Sequence, residues 1–183
     1  MVAVANSKHL IYEGFQQAIA DQVPKDRVGI LTDEEFGSTV LRDAVSKGYI
    51  TVASVEKSGQ EGFEFAYGED FAQHIEAFHP TFAKVLVRYN PEGDMALNQR
   101  QVSRLKRLSD YLHQAKTLFM FELLVPASPM QLEQFEGYTY LGCSPKWSTR
   151  STSVASFADG LFLCVSSAHY PLCYFSLTVH MLY

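Results

Sequence analysis

The chain has 183 residues, is 47% hydrophobic and carries a net charge of −5 at pH 7. That length allows one domain with a sizeable core but falls short of a complete eight-fold α/β barrel, which takes about 250 residues. The acidic balance and the lack of a basic stripe argue against nucleic acid as a partner. The opening MVAVANSKHLIYEGFQQAIA also lacks the long apolar core of a signal peptide, so a cytoplasmic location is expected.

The first element is a helix over 8–21, with Leu10, Ile11, Phe15, Ala18 and Ile19 at helical spacing. Pro24 and the charged Lys25–Asp26–Arg27 close it. VGILTDEEF (28–36) reads as a short buried strand with an acidic exit. Residues 37–48 form a second helix, with Ser38 as candidate cap and Gly48 as stop. A strand at 50–55 runs out into Glu56–Lys57–Ser58–Gly59, and a polar loop leads to a helix near 69–78 closed by His79–Pro80.

The next strand covers 82–89 and ends in the turn Asn90–Pro91–Glu92–Gly93–Asp94. Residues 96–114 are the clearest amphipathic helix, striped by Val102, Leu105, Leu108 and Leu112. A strand at 117–124 follows, then Pro126 to Pro129 and the start of a helix at 130–136. This alternation means parallel βαβ units. The expected fold class is α/β: a partial (β/α)8 (TIM) barrel of about four units over residues 1–136.

Past Gly137 the composition breaks. Of the Lys, Arg, Asp and Glu residues only Lys146, Arg150 and Asp159 lie there, together with all three cysteines, Cys143, Cys164 and Cys173. No periodicity organises 137–183, which reads as an atypical tail, disordered or translated out of frame or from an intron. Its apolar stretch 161–183 has the length of a membrane span. His169, Pro171, His180 and the missing basic flank argue against that reading. Three cysteines leave one over, so a disulfide framework is not expected either.

The informative feature is charge set into apolar strands. Lys57, Lys84, Arg88 and Glu122 stand in or at the exits of ITVASVEKSG, FAKVLVRYNPEGD and TLFMFELLVPA. Such charge is costly unless paired, and its repetition at strand ends points to an active site. The plainer readings are an ion pair between Glu122 and Lys84 across adjacent strands, pairing of Arg88 with Glu92 or Asp94, and a solvated loop position for Lys57. His74, His79 and His113 have no metal-ligand spacing and read as surface or interhelical residues. The cysteines form no C-x-x-C, and no Walker loop or G-x-G-x-x-G occurs. No metal or other cofactor is therefore expected.

The segments GILTDEEFGSTVLRDA, VEKSGQEGFEF, YGEDFAQHIEAFHPTFAKVLVRYNPEGD and LKRLSDYLHQAKTLFMFELLVPASPMQL resemble a bacterial aldolase domain over about residues 8–136. It is the DUF2090-type 2-deoxy-5-keto-D-gluconate-6-phosphate aldolase domain of myo-inositol catabolism, often fused to a sugar kinase. That domain is similar to tagatose-1,6-bisphosphate aldolase, a class I enzyme on a (β/α)8 barrel. The resemblance implies a Schiff-base lyase whose substrate is a phosphorylated sugar acid. Glu122 matches the family's strand-borne acid/base glutamate, and Lys84 matches a lysine lining the substrate pocket.

Glu34, Glu35, Glu56 and Lys57 match motifs at the exits of earlier strands. Glu34, Lys57 and Arg88 join Lys84 as candidate substrate-binding residues. The family's Schiff-base lysine lies on the following strand in a D-x-W-K-x-E motif. Nothing after Glu122 matches it, since Lys146 stands in CSPKWSTR. The expectation is a lyase domain inactive as written, with its nucleophile supplied from outside. The alternative is a non-catalytic remnant or interaction module.

Overall fold

The computed structural model describes residues 2–128, 130, 131, 161–165 and 177–181. The elements run α1 (Val2–Ala20), β1 (Gly29–Asp33), α2 (Glu34–Ser46), β2 (Ile50–Ser54), α3 (Phe71–Phe78), β3 (Phe82–Arg88), α4 (Met95–Ala115) and β4 (Leu118–Leu124), followed by β5 (Leu161–Val165) and β6 (Leu177–Met181). β1 to β4 form one sheet in chain order, and β5 and β6 form a separate antiparallel pair. The fold is α/β, a four-stranded parallel sheet alternating with helices, as the strand–helix pitch leads one to expect.

Two compact units share these elements. The first consists of residues 1–58, 65–85 and 109–119, and the second of 59–64, 86–108 and the chain from 120 onward. In the first unit β1 and β2 pair parallel from Gly29↔Ile50 to Asp33↔Ser54. β2 pairs parallel with β3, placing Lys84 opposite Ser54, the last residue of β2. At the other end of that pairing, Thr51 and Thr81 each donate a backbone N–H to the other's hydroxyl, at 3.2 and 3.1 Å. Tyr12, Ile30, Val40 and Ala44 form one core cluster with Phe15 and Tyr49 against it, and Leu41, Ala53 and Phe78 form another.

Two local expectations change. α2 starts at Glu34, because Asp33 caps it by accepting the Phe36 N–H at 2.8 Å; Ser38 lies inside the helix. Glu34 and Glu35 are thus first-turn carboxylates, favoured by the helix dipole, rather than strand residues. Gly48 does follow the end of α2, with a φ of +67° that suits glycine.

The second correction concerns helix faces. Leu10 and Ile11 of α1 are exposed, and the inward position is Tyr12, whose hydroxyl donates to Asp43 at 2.7 Å. On α4, Leu108 and Leu112 are fully buried, but Val102 is exposed and Gln101 takes the buried position beside it. Gln101 accepts the Phe63 N–H at 2.7 Å and donates to the Arg88 carbonyl at 2.9 Å. Arg104 donates to the Phe63 carbonyl at 2.8 Å, so α4 grips segment 59–64 within the second unit.

β5 and β6 fall where the sequence shows no strand-like periodicity. The rest of the expected tail, and the helix beyond Gln131, lie outside the described residues. Among the described residues no helix is long and apolar enough to cross a membrane.

Candidate functional site

The C-terminal ends of β1 and β2 in the first unit gather the polar groups. Lys84 projects from β3, 9% exposed, and donates to Glu56, two residues past the end of β2, at 2.9 Å. Both side chains are largely shielded, at 11% and 14% exposure. The second Glu56 oxygen is buried without a hydrogen-bond partner, which leaves the carboxylate dependent on Lys84. A lone isolated bridge, Glu56↔Phe65, ties the loop after β2 back on itself. Glu56, on the neighbouring strand's exit, is thus one partner of the Lys84 ammonium.

A small cavity of about 20 Å³, with room for a water molecule, is lined by Glu34, Ala53, Ser54, Tyr67, His74 and apolar residues of α2 and α3. Glu34 stands at the start of α2 directly beyond β1. Its two oxygens lie 2.9 and 2.8 Å from Nδ1 of His74 on α3. The imidazole also stacks on Tyr67, with ring centroids 3.7 Å apart and planes 3° from parallel. Burial, followed by the charges of Glu34, Glu35 and Asp33, raises the Tyr67 hydroxyl above its ordinary 10.0.

Asp33, at the end of β1, pairs with Lys8. Burial pushes its carboxyl up, but the hydrogen bonds from Lys8 and the Phe36 N–H outweigh it, so the group titrates below its ordinary 3.8. The strand ends thus hold fixed carboxylates, one buried cation and one histidine. That set can bind hydroxylated or anionic groups and move a proton.

Lys57 is exposed in the loop after β2. Arg88, the last residue of β3, is exposed and donates to the Gln60 carbonyl at 3.3 Å. Glu122 lies within β4 of the second unit and is half-buried. Among the described residues no cluster of three or more His, Cys, Asp or Glu could hold a metal. His74 is interhelical, as read from the sequence, but its engagement of Glu34 and Tyr67 was not foreseen. The Glu34 contact spans 40 residues of chain, and no local motif announces it.

The family described as “Uncharacterized protein conserved in bacteria (DUF2090)” matches residues 2–153. No curated protein matches the chain.

Proposed function

The chain belongs to the DUF2090 family, and on that footing we propose that it is a class I aldolase-type lyase domain acting on a phosphorylated keto-sugar acid. The substrate proposed is 2-deoxy-5-keto-gluconate 6-phosphate, cleaved to dihydroxyacetone phosphate and malonic semialdehyde. The observation that carries the reading is the buried Lys84–Glu56 pair, set where a parallel strand is ordinarily apolar and level with the end of β2.

In this reading Lys84 is the pocket cation that lowers the pKa of a neighbouring Schiff-base lysine by charge repulsion. Glu122 moves the proton as the carbon–carbon bond breaks. Arg88 and Lys57 offer cations to the phosphate, and Glu34 accepts from a substrate hydroxyl. The Schiff-base lysine comes from outside this chain, because no D-x-W-K-x-E motif follows Glu122. That same absence favours the second reading, a non-catalytic remnant or interaction module.

Borohydride trapping with dihydroxyacetone phosphate, followed by peptide mapping, tests where the nucleophile lies. The folded chain is expected to yield no lysine adduct, and an adduct on any of its lysines would overturn that assignment. In a complete homologous domain, Glu122→Gln is expected to lower turnover by about 10²–10⁴-fold. Full activity in that variant would remove Glu122 from the mechanism.

A further inference from the structure

Glu34 is not waiting open for a ligand. Both of its oxygens face the same nitrogen of His74, at 2.8 and 2.9 Å, and its side chain is 24% exposed. Any hydroxyl that bonds to Glu34 must compete with that imidazole. The strength of the competitor depends on its charge, because a hydrogen bond from imidazolium to carboxylate is charge-assisted and one from neutral imidazole is not. The flat stack on Tyr67 adds to this difference, since an aromatic face attracts a cation more than a neutral ring.

Nε2 of His74 has no hydrogen-bond partner among the described residues, where the ring is held through Nδ1 and its face. The ring can therefore gain or lose its second proton without breaking an existing bond. The other charged groups near this spot are carboxylates, together with the cation Arg42 of α2, which lies 4.5 Å from the ring centroid of Phe78 on α3. Glu35 and Asp33 stand beside Glu34 and act on Tyr67, with Asp33 held by Lys8. Asp70 and Glu76 belong to the N-cap and body of the same α3. Of these side-chain types, imidazole is the one that ordinarily changes charge near physiological pH.

We propose that His74 is a proton-controlled latch on Glu34, closed when the imidazole is charged and released to a ligand hydroxyl as the imidazole becomes neutral. The latch joins the start of α2 to α3, two of the elements that line the small cavity. The proposal rests on the reading of this chain as a binder of phosphorylated keto-sugars. It adds that affinity at the Glu34 end rises with pH. His74 here is a positioning residue that acts through Glu34.

Calorimetric titration of the full chain with dihydroxyacetone phosphate, at a series of values between about pH 5.5 and 8, reads this directly. Phosphate ionisation also strengthens binding over that range, so the quantity compared is the ratio of wild type to His74→Gln at each pH. Relative to His74→Gln, wild type is expected to gain roughly fivefold in affinity from the acid to the alkaline end, the size of a partly exposed ion pair. Glu34→Gln is expected to bind more weakly than wild type at the alkaline end and to lose the same pH-dependent component.

A pH dependence identical in wild type and His74→Gln would overturn the latch alone. Wild-type affinity and pH dependence in Glu34→Gln would do the same. No binding by wild type at any pH would overturn the ligand reading and the latch with it.

Discussion

Replacing Lys84 by methionine keeps the length and the apolar stem of the side chain and removes only its charge. Glu56 is 14% exposed, its Oε1 accepts from Lys84, and its Oε2 has no donor. Breaking a buried pair by deleting one partner costs about 3–5 kcal/mol, because the surviving charge stays desolvated. A carboxyl can escape by taking up a proton, at about 1.4 kcal/mol for each pH unit above an ordinary value near 4.3. The penalty for Lys84→Met is therefore capped near about 4 kcal/mol at pH 7, and it shrinks towards pH 5.

For a chain of this size that penalty is a fall in Tm on the order of 10 °C. The double variant Lys84→Met/Glu56→Leu removes both charges, and it is expected to recover most of the loss. Urea unfolding of wild type, Lys84→Met, Glu56→Leu and the double variant at pH 7 and pH 5, read by circular dichroism, supplies the four corners of the cycle. A Lys84→Met variant within about 0.5 kcal/mol of wild type would refute the reasoning. So would a double variant as unstable as the single one.

Gln101→Leu is expected to cost about 2–4 kcal/mol, since it strands the Phe63 N–H and the Arg88 carbonyl that the amide now satisfies; urea unfolding with amide exchange at Phe63 checks it. Gly37→Ala would set a methyl 2.1 Å from Oγ1 and 2.7 Å from Cγ2 of the buried Thr32, and thermal unfolding should show a loss of about 1–3 kcal/mol. The stability profile with pH should fall at both ends. Asp33 and Asp43 titrate below 3.8 in the fold, so their contribution is whole above that value and is lost as pH falls through their lowered values. Burial, and then the charge of Glu76, raises the Tyr111 hydroxyl above 10.0 much as burial raises Tyr67. Their contribution is whole below 10.0 and is lost as pH climbs through the raised values. Urea midpoints measured from acid to alkaline pH read both limbs.

The alternation of strands and helices was legible because each strand is a short run of β-branched or other large apolar residues and each helix is closed by Gly, Pro or a left-handed residue. His79 shows the last case, with a φ of 46° ahead of Pro80. The start of α2 was misread because Gly37–Ser38 resembles a loop and cap. The stronger signal was Asp33 followed by two glutamates, a cap with acidic residues in the first turn. The inward face of α4 was misphased for a related reason. An apolar stripe cannot reveal that Gln101 is buried to satisfy the backbone of another segment.

The site divides in the same way. Lys84 stood out because a strand gives a lone cation nowhere to hide, and Glu56 was noticed at the end of its own strand. That the two meet depends on the β2–β3 register, which pairs Ser54 with Lys84 and which no single segment encodes. His74 carried no signal at all, since both of its partners are distant or chemically ordinary in sequence. Lys57 and Arg88 are exposed, and exposure alone does not separate a ligand-binding cation from a solvated one.

The most direct test of the central claim is a calorimetric titration of the full chain with 2-deoxy-5-keto-gluconate 6-phosphate, repeated on Arg88→Gln. The account predicts saturable binding by the wild type and roughly tenfold weaker binding by the variant, whose exposed position leaves the fold intact. Heat indistinguishable from dilution in the wild type would contradict it.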